Sequence, residues 1–314
     1  MTIADHSPLH ERCWFRTGGA AQYFCAPRTE RELGEALAFA RARQLPVTLL
    51  GEGANVLISD EGIAGLVIRP AMVHCACRPD SAGGMLLTAG AGAALGDAIE
   101  YALQHGALGL EEFSGVPGSI GGAVYINAHY FEFLLSHFLV EARVMNVCDG
   151  AVASVPAAWF AFGYDTSRLH AREHVLVDAT FALRAGSAED AAFARGRRAE
   201  IIRHRMRRYP ASHTCGSFFQ NFTAAEVQLT IDGRPMTSVA YYLDRLGVKG
   251  VLREGDAVVS AKHANMIVNR GTATSAEIAA VARRMQELVR GEFGLLPRPE
   301  CQLLGFTAPP LLSA

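Results

Sequence analysis

The sequence predicts a mixed α+β protein of two or three packed units. The chain has 314 residues, of which 50% are hydrophobic and 19% charged, so it can bury more than one core. Short apolar runs typical of strands alternate with segments of helical periodicity. Clusters of Gly, Pro and Asp separate these segments, and no internal repeat or low-complexity tract interrupts them.

The first segments predict one helix and several short strands. Thr29 to Glu32 has the pattern of a capping box, and the apolar residues from Leu33 to Ala40 recur at helical spacing. Pro46 ends this helix. The predicted strands that follow cover residues 47–50, 56–58 and 66–68.

Later segments continue the alternation. We expect a strand over 86–89, a helix over 95–105 that ends at Gly106, a hairpin over 138–155 and a strand over 175–183. A long helix should follow Ser187 and end at Pro210. Helices over 239–246 and 275–290 come next, the second after a capping box of Thr274 and Glu277, with strands at 257–260, 266–268 and 303–306. The predicted division is 1–80 and 81–200 for two subdomains, 201–300 for a third domain and 301–314 for a closing strand and tail.

Composition and charge exclude several classes of protein. The formal net charge is -2, so nothing global favours nucleic acid or an anionic membrane. No stretch approaches the roughly 18 apolar residues of a membrane span, and the first residues lack the pattern of a signal peptide. The seven cysteines include one close pair, Cys75 and Cys77, without the second pair of a zinc site. We expect reduced thiols, no metal, no nucleic-acid partner, no membrane insertion, and a cytoplasmic monomer.

The segment from Gly115 to Gly122 is the first candidate ligand site. It contains four glycines in eight residues, GVPGSIGG. Glycine permits positive φ and lets backbone N–H groups approach a ligand, and successive N–H groups form an anion-binding concavity. The Ser119 hydroxyl adds a possible donor. The residues alone leave a phosphate cradle and a tight structural turn equally open.

A second glycine segment, Gly51 to Asn55, follows a predicted strand directly. It lacks the dinucleotide-binding fingerprint of a Rossmann fold, because Val56 occupies the place of the third glycine and no helix follows. Two separate glycine loops near strand ends suit a long ligand held between two subdomains.

The end of the long helix is strongly basic. Seven arginines and one acid, Glu200, lie between Arg195 and Arg208. We expect Ile202, Met206 and Tyr209 to face the core, with Arg205 and Arg208 half-sheltered and available to phosphate. A solvated basic face is the alternative for most of these arginines. Interleaved aromatic residues, which nucleic-acid binding favours, are lacking.

Several segments together resemble the UDP-N-acetylenolpyruvoylglucosamine reductase family of bacterial cell-wall synthesis. The resemblance begins at Phe15-Arg16-Thr17-Gly18-Gly19-Ala20, ends at Pro299-Glu300, and rests on the order and spacing of its pieces. The further pieces are LGEGANVLIS at 50–59, AGAG at 89–92, EFSGVPGSIGGAVYINA at 112–128, FGY at 162–164, GSFFQN at 216–221 and VSAKHANMIVN at 259–269.

The resemblance implies a fold, two cofactors and a reaction. The fold would be a two-subdomain FAD-binding fold of the vanillyl-alcohol-oxidase type, followed by a C-terminal α+β substrate domain. The family uses FAD and NADPH to reduce the enolpyruvyl ether of a UDP-sugar to a lactyl ether: hydride reaches C3 by way of the flavin, and C2 is then protonated. The short stretch between Tyr164 and Pro210 is similar to the family's shorter branch, which lacks an extra substrate-covering loop.

The resemblance also implies roles for individual residues. Ser217 matches the proton donor, with Cys215 as a more acidic alternative, and Glu300 matches the glutamate that stabilises the enolic intermediate. The implied substrate-binding residues are Tyr164, Arg205, Arg208, Gln220 and Asn221. The implied cofactor-binding residues are Gly51, Gly53, Ala54, Asn55, Val56, Leu57, Gly115, Pro117, Gly118, Ser119, Gly121, Gly122 and Asn127.

Two positions depart from the family pattern. Gln220 stands where the family usually has lysine. Asp165 stands where the pattern Tyr-Arg-x-Ser has an arginine that assists the substrate carboxylate, and such a donor is typically worth about 3–4 kcal/mol. Arg168, three residues further on, is the first candidate to replace it, so we expect Arg168 to be catalytic.

The departure at Asp165 keeps alternatives to an active reductase open. One is a slow or non-catalytic flavin-binding relative that has lost a charge partner. Another is a flavin oxidase of the same broad fold, which the Gly216-Ser217 turn disfavours. Ser217, Glu300 and Asn221 favour the active enzyme.

Overall fold

The structure is a computed structural model that describes residues 1–313, and it confirms the predicted α+β fold class. Ala314, the last residue of the predicted tail, lies outside the described residues. The α-helices are α1 (Glu30–Ala42), α2 (Leu95–Gln104), α3 (Ile120–Tyr125), α4 (Ala188–Arg208), α5 (Val239–Arg245) and α6 (Ser275–Phe293). Within residues 1–313, no helix has the length and apolar character needed to cross a membrane.

Residues 1–313 also contain nineteen strands and five short 3-10 helices. The first ten are β1 (Ala4–Pro8), β2 (Ala20–Cys25), β3 (Val47–Leu49), β4 (Val56–Ile58), β5 (Ile63–Ile68), β6 (Cys75–Pro79), β7 (Met85–Gly90), β8 (Ala107–Leu108), β9 (His129–Tyr130) and β10 (Phe133–Leu134). The others are β11 (Leu139–Asn146), β12 (Val152–Pro156), β13 (His174–Ala185), β14 (Thr230–Ile231), β15 (Arg234–Pro235), β16 (Arg253–Glu254), β17 (Ala257–Val259), β18 (Ile267–Asn269) and β19 (Gln302–Leu304).

The described chain divides into two compact units. The first comprises residues 1–6, 22–52 and 64–205. The second comprises residues 7–21, 53–63 and the chain from Met206 onwards. The predicted division at 80/81, 200/201 and 300/301 stays a prediction.

An antiparallel sheet organises the first unit. Its strand order is β12-β11-β13-β7-β6, and β8 pairs with the end of β13. The long strand β13 is buried over most of its length, because β7 and β11 flank it on both sides. The predicted hairpin of β11 and β12 is confirmed, with Ala142 opposite Val155. A second sheet, β1-β2-β5-β3, lies mostly in this unit.

Helix α1 begins as predicted at a threonine cap. The Thr29 side chain accepts a hydrogen bond from the Glu32 N–H at 3.2 Å. The Glu32 carboxylate accepts from the N–H of Arg28, one residue before the cap, so the box closes one residue earlier than in the usual pattern. Leu33, together with Ala36, Leu37 and Ala40, is buried as the helical spacing predicts.

The second unit contains a small antiparallel sheet, β16-β17-β18, with helices α5 and α6. Ile278, Ala282 and Met285 are buried on one face of α6, at the spacing of an amphipathic helix. Strand β19 returns to pair in parallel with β4, so that Leu303 lies opposite Leu57. This pairing brings the C-terminal segment beside the residues that follow the second glycine loop.

The predicted capping box of α6 is complete, and it supports a stability prediction. The Thr274 hydroxyl accepts from the Glu277 N–H at 3.1 Å, and the Glu277 carboxylate accepts from the Thr274 N–H at 2.9 Å. Removing an N-cap side chain typically costs about 1 kcal/mol. We expect Thr274→Ala to lower the free energy of unfolding by about that amount, measured by urea denaturation. Thr272→Ser is a mild control variant. An unchanged midpoint of urea unfolding in Thr274→Ala would contradict the prediction.

One prediction for helix α4 is wrong. Met206 is 60% exposed and does not face the core. The buried residues are Ala191, Ala194 and Ile201, so the buried row begins with small alanines near the start of the helix. The apolar residues at its end lie on a different face and misled the sequence interpretation.

Most of the basic residues of α4 in the first unit are paired. Glu100 accepts from Arg195 and Arg198, and Glu112 accepts from Arg197 in a bidentate arrangement with distances of 3.1 and 3.2 Å. Glu100 lies in α2, and Glu112 lies in the short 3-10 helix Leu110–Phe113 that follows it. These ion pairs therefore connect α4 to neighbouring helices of the first unit.

Candidate functional site

The loop from Gly115 to Gly122 has the features of an anion cradle. Gly118 has a φ of +124°, which L-residues rarely adopt, and a Cβ added there would meet no protein atom within 4 Å. The backbone N–H groups of Gly118 and Ser119 make no hydrogen bond to the described residues. Open space beside unpaired N–H groups is what a phosphate requires, whereas a purely structural turn would satisfy them.

The second half of this loop is satisfied internally. Ser119 caps α3, and its hydroxyl accepts from the Gly122 N–H at 3.3 Å. The Ile120 and Gly121 N–H groups bond to the carbonyls of Ala93 and Ala91 at 2.8 Å. The predicted cradle is therefore confined to its first turn, and the hydroxyl that sequence reasoning offered to a ligand holds the helix end.

The second glycine loop approaches the first one at Gly51. A Cβ added to Gly51 would lie 2.9 Å from the Ser119 Oγ, so a side chain at residue 51 would collide with the first loop. The N–H groups of residues 51–55 make no hydrogen bond to the described residues, which leaves five successive donors for an anion. Gly53 has a φ of +71°, and a Cβ there would lie 2.0 Å from the Arg12 carbonyl oxygen.

Two buried polar atoms beside these loops have no hydrogen-bond partner among the described residues: Asn55 Oδ1 and the hydroxyl of Ser114, which is fully buried. A buried polar atom without a partner is costly, so a ligand group is the expected partner of each. Asn55 was predicted from the sequence. Ser114, directly before the first loop, was missed because a single serine carries no pattern.

Other predicted cofactor residues have mainly structural contacts. Asn127 is buried with a φ of +50°; its amide donates to the Gly163 carbonyl at 3.1 Å and its oxygen accepts from the Ser136 N–H at 3.0 Å. Val56 and Leu57 lie in β4, and Leu57 is fully buried. Ala54 and Pro117 contribute backbone to the two loops.

In the second unit, the segments of Ser217 and Glu300 are direct neighbours. The carbonyl of Phe218 accepts from the N–H of Glu300 at 2.9 Å, and Phe219 pairs with Pro299 in an antiparallel bridge. Ser217 is half-buried, and its hydroxyl makes no hydrogen bond to the described residues. The structure thus brings together the two predicted catalytic residues of this unit.

Asn265 fixes the chain next to Ser217, and sequence reasoning missed it. Its side chain accepts from the Phe219 N–H at 3.1 Å and donates to the Phe219 carbonyl at 2.7 Å. Its own carbonyl accepts from the Phe218 N–H. Asn265 is 2% exposed, so these hydrogen bonds, which we call the Asn265 clamp, are shielded from water. They restrict the backbone next to Ser217 to one conformation.

Three buried cysteines lie near the same segments. Burial raises the pKa of Cys13 to about 11 and raises the pKa of the fully buried Cys301. Cys215, the alternative proton donor, directs its sulfur to the carbonyls of Gly216 and Ser217 at 3.8 and 3.9 Å. Its sulfur therefore contacts these carbonyls and the buried Cys301 thiol, which favours Ser217 as the donor. Within residues 1–313, no group of three or more His, Cys, Asp or Glu side chains could hold a metal ion.

The predicted arginines at the end of α4 differ in environment. Arg205 belongs to the first unit; its Nε donates to the Gly115 carbonyl at 3.0 Å, and its guanidinium lies 5.4 Å from the centre of the Tyr130 ring. Arg208 is exposed in the second unit. Lys262, which sequence reasoning missed, donates to the carbonyls of Met206 and Tyr209 at 2.7 and 3.2 Å and so secures the turn that carries Arg208.

His263 adds to the electrostatic environment of Arg208. Its ring packs edge-on against Tyr209. Burial lowers the pKa of His263, and the positive charges of Arg208 and Lys249 lower it further. A neutral ring there avoids a further charge beside Arg208.

Gln220 and Asn221 follow the Ser217 segment. The Gln220 N–H bonds to the carbonyl of Arg298 at 2.9 Å. The Asn221 side-chain oxygen accepts from the Val239 N–H at 3.3 Å, at the start of α5. Both residues are therefore held by hydrogen bonds that involve backbone groups, and only the Gln220 partner, Arg298, lies close to Glu300 in the sequence.

Asp165, which departs from the family pattern, lies in a tight turn of the first unit. The Gly163 N–H bonds to the Thr166 carbonyl at 3.0 Å, and Asp165 has a φ of +53°. Tyr164 is 50% exposed beside it. Arg168 is exposed, and its guanidinium lies over the ring of Trp159, 4.9 Å from the centre.

The glycine cradles and the α+β fold define an FAD-binding protein: residues 21–155 match the family model of an FAD-binding domain. Residues 208–304 match the model of the UDP-N-acetylenolpyruvoylglucosamine reductase C-terminal domain. The chain belongs to the UDP-N-acetylenolpyruvoylglucosamine reductase family, as the sequence resemblance predicted.

Relatives match over nearly the whole chain. The reductase of Synechocystis sp. is 34% identical over 306 residues, 96% of this chain and 91% of that protein. The reductase of Pediococcus pentosaceus is 31% identical over 97% of this chain and 95% of its own length. The crystal structure of UDP-N-acetylenolpyruvylglucosamine reductase (MurB) from Thermus caldophilus is 28% identical, with a TM-score of 0.75 over 96% of this chain and 98% of that one.

Proposed function

We propose that the chain is an FAD-dependent NADPH reductase. It converts UDP-N-acetylglucosamine enolpyruvate to UDP-N-acetylmuramate in peptidoglycan precursor synthesis. The observation that carries the proposal is the half-buried Ser217 hydroxyl without a hydrogen-bond partner in the described chain, on a segment hydrogen-bonded to that of Glu300. Membership of the reductase family supports it over a slow or non-catalytic relative.

The glycine loops would hold the cofactor. The unpaired N–H groups of Gly118 and Ser119 fit the oxygens of a phosphate, and the successive unpaired N–H groups of residues 51–55 offer a second set of donors. Asn55 Oδ1 and the Ser114 hydroxyl would complete the polar contacts. When bound, FAD supplies hydride transfer from NADPH to C3 of the enolpyruvyl group.

Ser217 would then donate the proton to C2 of the substrate. A hydroxyl is a weak acid, so it serves only because carbanion-like C2 is a strong base and because the donor is held in place. The Asn265 clamp restricts the backbone next to Ser217. Glu300, held through its N–H by the Phe218 carbonyl, would stabilise the enolic form.

The candidate substrate contacts are those that the family resemblance implies. Tyr164 and Arg205 belong to the first unit, and Arg208, Gln220 and Asn221 belong to the second. Arg208 is an exposed residue, and a guanidinium is suited to bind a diphosphate. Arg168 stays the sequence-based candidate for the cation that Asp165 does not supply.

One assay tests the proposal. The purified protein should be yellow, and NADPH oxidation should depend on the UDP-enolpyruvyl sugar. Colour without substrate-dependent oxidation would support a non-catalytic relative, whereas oxidation with oxygen alone would support an oxidase. Colourless protein that FAD cannot reconstitute would reject all three.

We further propose that the protein is a cytoplasmic monomer. Its seven cysteines are all free, which suits a reducing compartment, and burial raises the pKa of five of them. Size-exclusion chromatography with light scattering should give about the chain mass of 33.7 kDa.

A further inference from the structure

The carboxylate of Asp165 is unusually placed for a charged group. Asp165 is 6% exposed, and neither carboxylate oxygen has a hydrogen-bond partner among the described residues. The closest opposite partner is the Nδ1 of His129, 3.4 Å from Oδ1, which is longer than a regular hydrogen bond. A buried carboxylate held this loosely is expected to destabilise the fold, so its role is not simply structural.

His129 connects this carboxylate to Tyr164, a substrate-binding residue in the proposed function. It lies in β9, and its side chain is 28% exposed. Its ring packs against Tyr164, with ring centres 5.1 Å apart. With Nδ1 directed at Asp165, the other ring nitrogen, Nε2, is left to a ligand that approaches Tyr164.

The turn and the strand that carry the pair are tied together. The amide of Asn127 donates to the Gly163 carbonyl, at the start of the turn that contains Asp165. Because Asn127 lies two residues before His129, this single bond sets the spacing between the two side chains. It also gives the buried Asn127 a role in positioning the pair.

We propose that Asp165 and His129 form a carboxylate–histidine pair that presents a cation to the carboxylate of the enolpyruvyl group beside Tyr164. The inference rests on the proposed function. Asp165 is the positioning residue: it orients the ring and balances the positive charge of its doubly protonated form. His129 touches the substrate anion and supplies the positive charge that the Tyr164-Asp165-Thr166-Ser167 segment otherwise lacks.

The other titratable groups beside the pair are Tyr164, whose ring packs on His129, and His170, which interacts electrostatically with Asp165 and with Arg172. Burial is the main reason that the pKa of His170 is lowered; Arg172 lowers it further and Asp165 opposes this effect. The His170 ring stacks on Tyr125 at 3.9 Å, and its Nδ1 lies within hydrogen-bond distance of the Ser167 backbone. These contacts engage His170 with Tyr125 and the Ser167 backbone, whereas His129 is the histidine that packs against Tyr164.

Two double-mutant cycles test the pair, with Asp165→Asn, His129→Gln and the combination in the FAD-loaded enzyme. For turnover, we expect each single variant to lower kcat for the UDP-enolpyruvyl sugar by about 10- to 100-fold, and the double variant to lose no more than the worse single one. Bleaching of the flavin absorbance by NADPH should stay within about twofold of the wild type, since that step does not use the substrate anion. For stability, His129→Gln should lower the unfolding midpoint more in the wild type than in Asp165→Asn, where no carboxylate is left unpaired.

Charge and position have separate controls. His129→Arg should keep most of the turnover, because arginine also presents a positive charge at this position. His137→Gln is the matched control, since His137 is an exposed histidine eight residues further along. Arg168→Ala decides between the two candidates for the cation: a loss of about 100-fold there, with normal His129→Gln turnover, would give the role to Arg168 and overturn the proposal.

The remaining outcomes separate this inference from the proposed function. If the wild type turns over the UDP-enolpyruvyl sugar and both single variants match it, the pair has no catalytic role. Coupling in the stability cycle without any effect on kcat would make the pair structural and would also overturn the proposal. If the wild type itself does not reduce this substrate, the proposed function fails first, and this inference fails with it.

Discussion

Replacing Ser217 with alanine should abolish most substrate reduction while leaving the flavin reactive towards NADPH. A positioned general acid typically contributes about 10²- to 10⁴-fold to the rate, so kcat for the UDP-enolpyruvyl sugar should fall by that factor. The change removes one oxygen from a half-buried side chain whose hydroxyl makes no hydrogen bond to the described residues, so folding should be unaffected. Stopped-flow absorbance with NADPH alone, followed by addition of substrate, separates the two steps.

Two further variants distinguish the donor. Cys215→Ala should keep nearly full turnover, because the Cys215 sulfur faces the carbonyls of Gly216 and Ser217. Ser154→Ala, on an exposed strand, controls for the loss of a serine hydroxyl elsewhere. If Ser217→Ala kept its rate while Cys215→Ala lost it, the proton would come from Cys215.

The kinetic constants of Ser217→Ala also distinguish a proton donor from a residue that only shapes the loop. A proton donor acts in the transition state, so kcat and kcat/KM should fall together while KM changes little. If Ser217 only shaped the loop, KM would rise and the unfolding midpoint would shift with it. Asn265→Ala should show that structural pattern, because it breaks the two hydrogen bonds to Phe219.

The sequence predicted the local features of the fold well because those features are encoded locally. Thr274 and Glu277 cap α6 as expected, and the buried face of α1 follows the spacing of Leu33 to Ala40. Met206 was assigned wrongly because periodicity does not reveal which of two apolar rows a neighbour covers. The alanines of α4 carry a weaker apolar signal than Met206, yet they form the buried row.

The candidate site was predictable only in part, because local features leave a pattern in the sequence and long-range contacts do not. Glycine conformation leaves a trace in sequence, so the two loops were recognised from residues alone and their ligand from the resemblance. Asn265 and Lys262 act on backbone 46 and 56 residues away, and such contacts leave no local pattern. His129 escaped notice likewise, since its partner Asp165 lies in a distant turn and only folding brings the two together.

Replacing Gly118 with alanine should release the flavin. Alanine at a φ of +124° is strained, at a cost of roughly 1–3 kcal/mol. The new methyl group would occupy the open space beside the unpaired N–H groups of Gly118 and Ser119. Losing one hydrogen bond to a charged group costs about 1.5–3 kcal/mol, so FAD should bind about 10- to 100-fold more weakly. The ratio of absorbance at flavin and protein wavelengths, and titration of the apoprotein with FAD, measure this.

Backbone strain alone could also weaken binding, and Gly83 separates the two causes. Gly83 has a φ of +87° in an exposed turn, and a Cβ there also meets no atom within 4 Å. Gly83→Ala should therefore lose similar stability through strain but keep its flavin. If both variants lost flavin in proportion to their loss of stability, Gly118 would be a structural turn and the cradle would lie elsewhere. Loss of flavin from Gly118→Ala alone would assign the open space beside its N–H group to a phosphate oxygen.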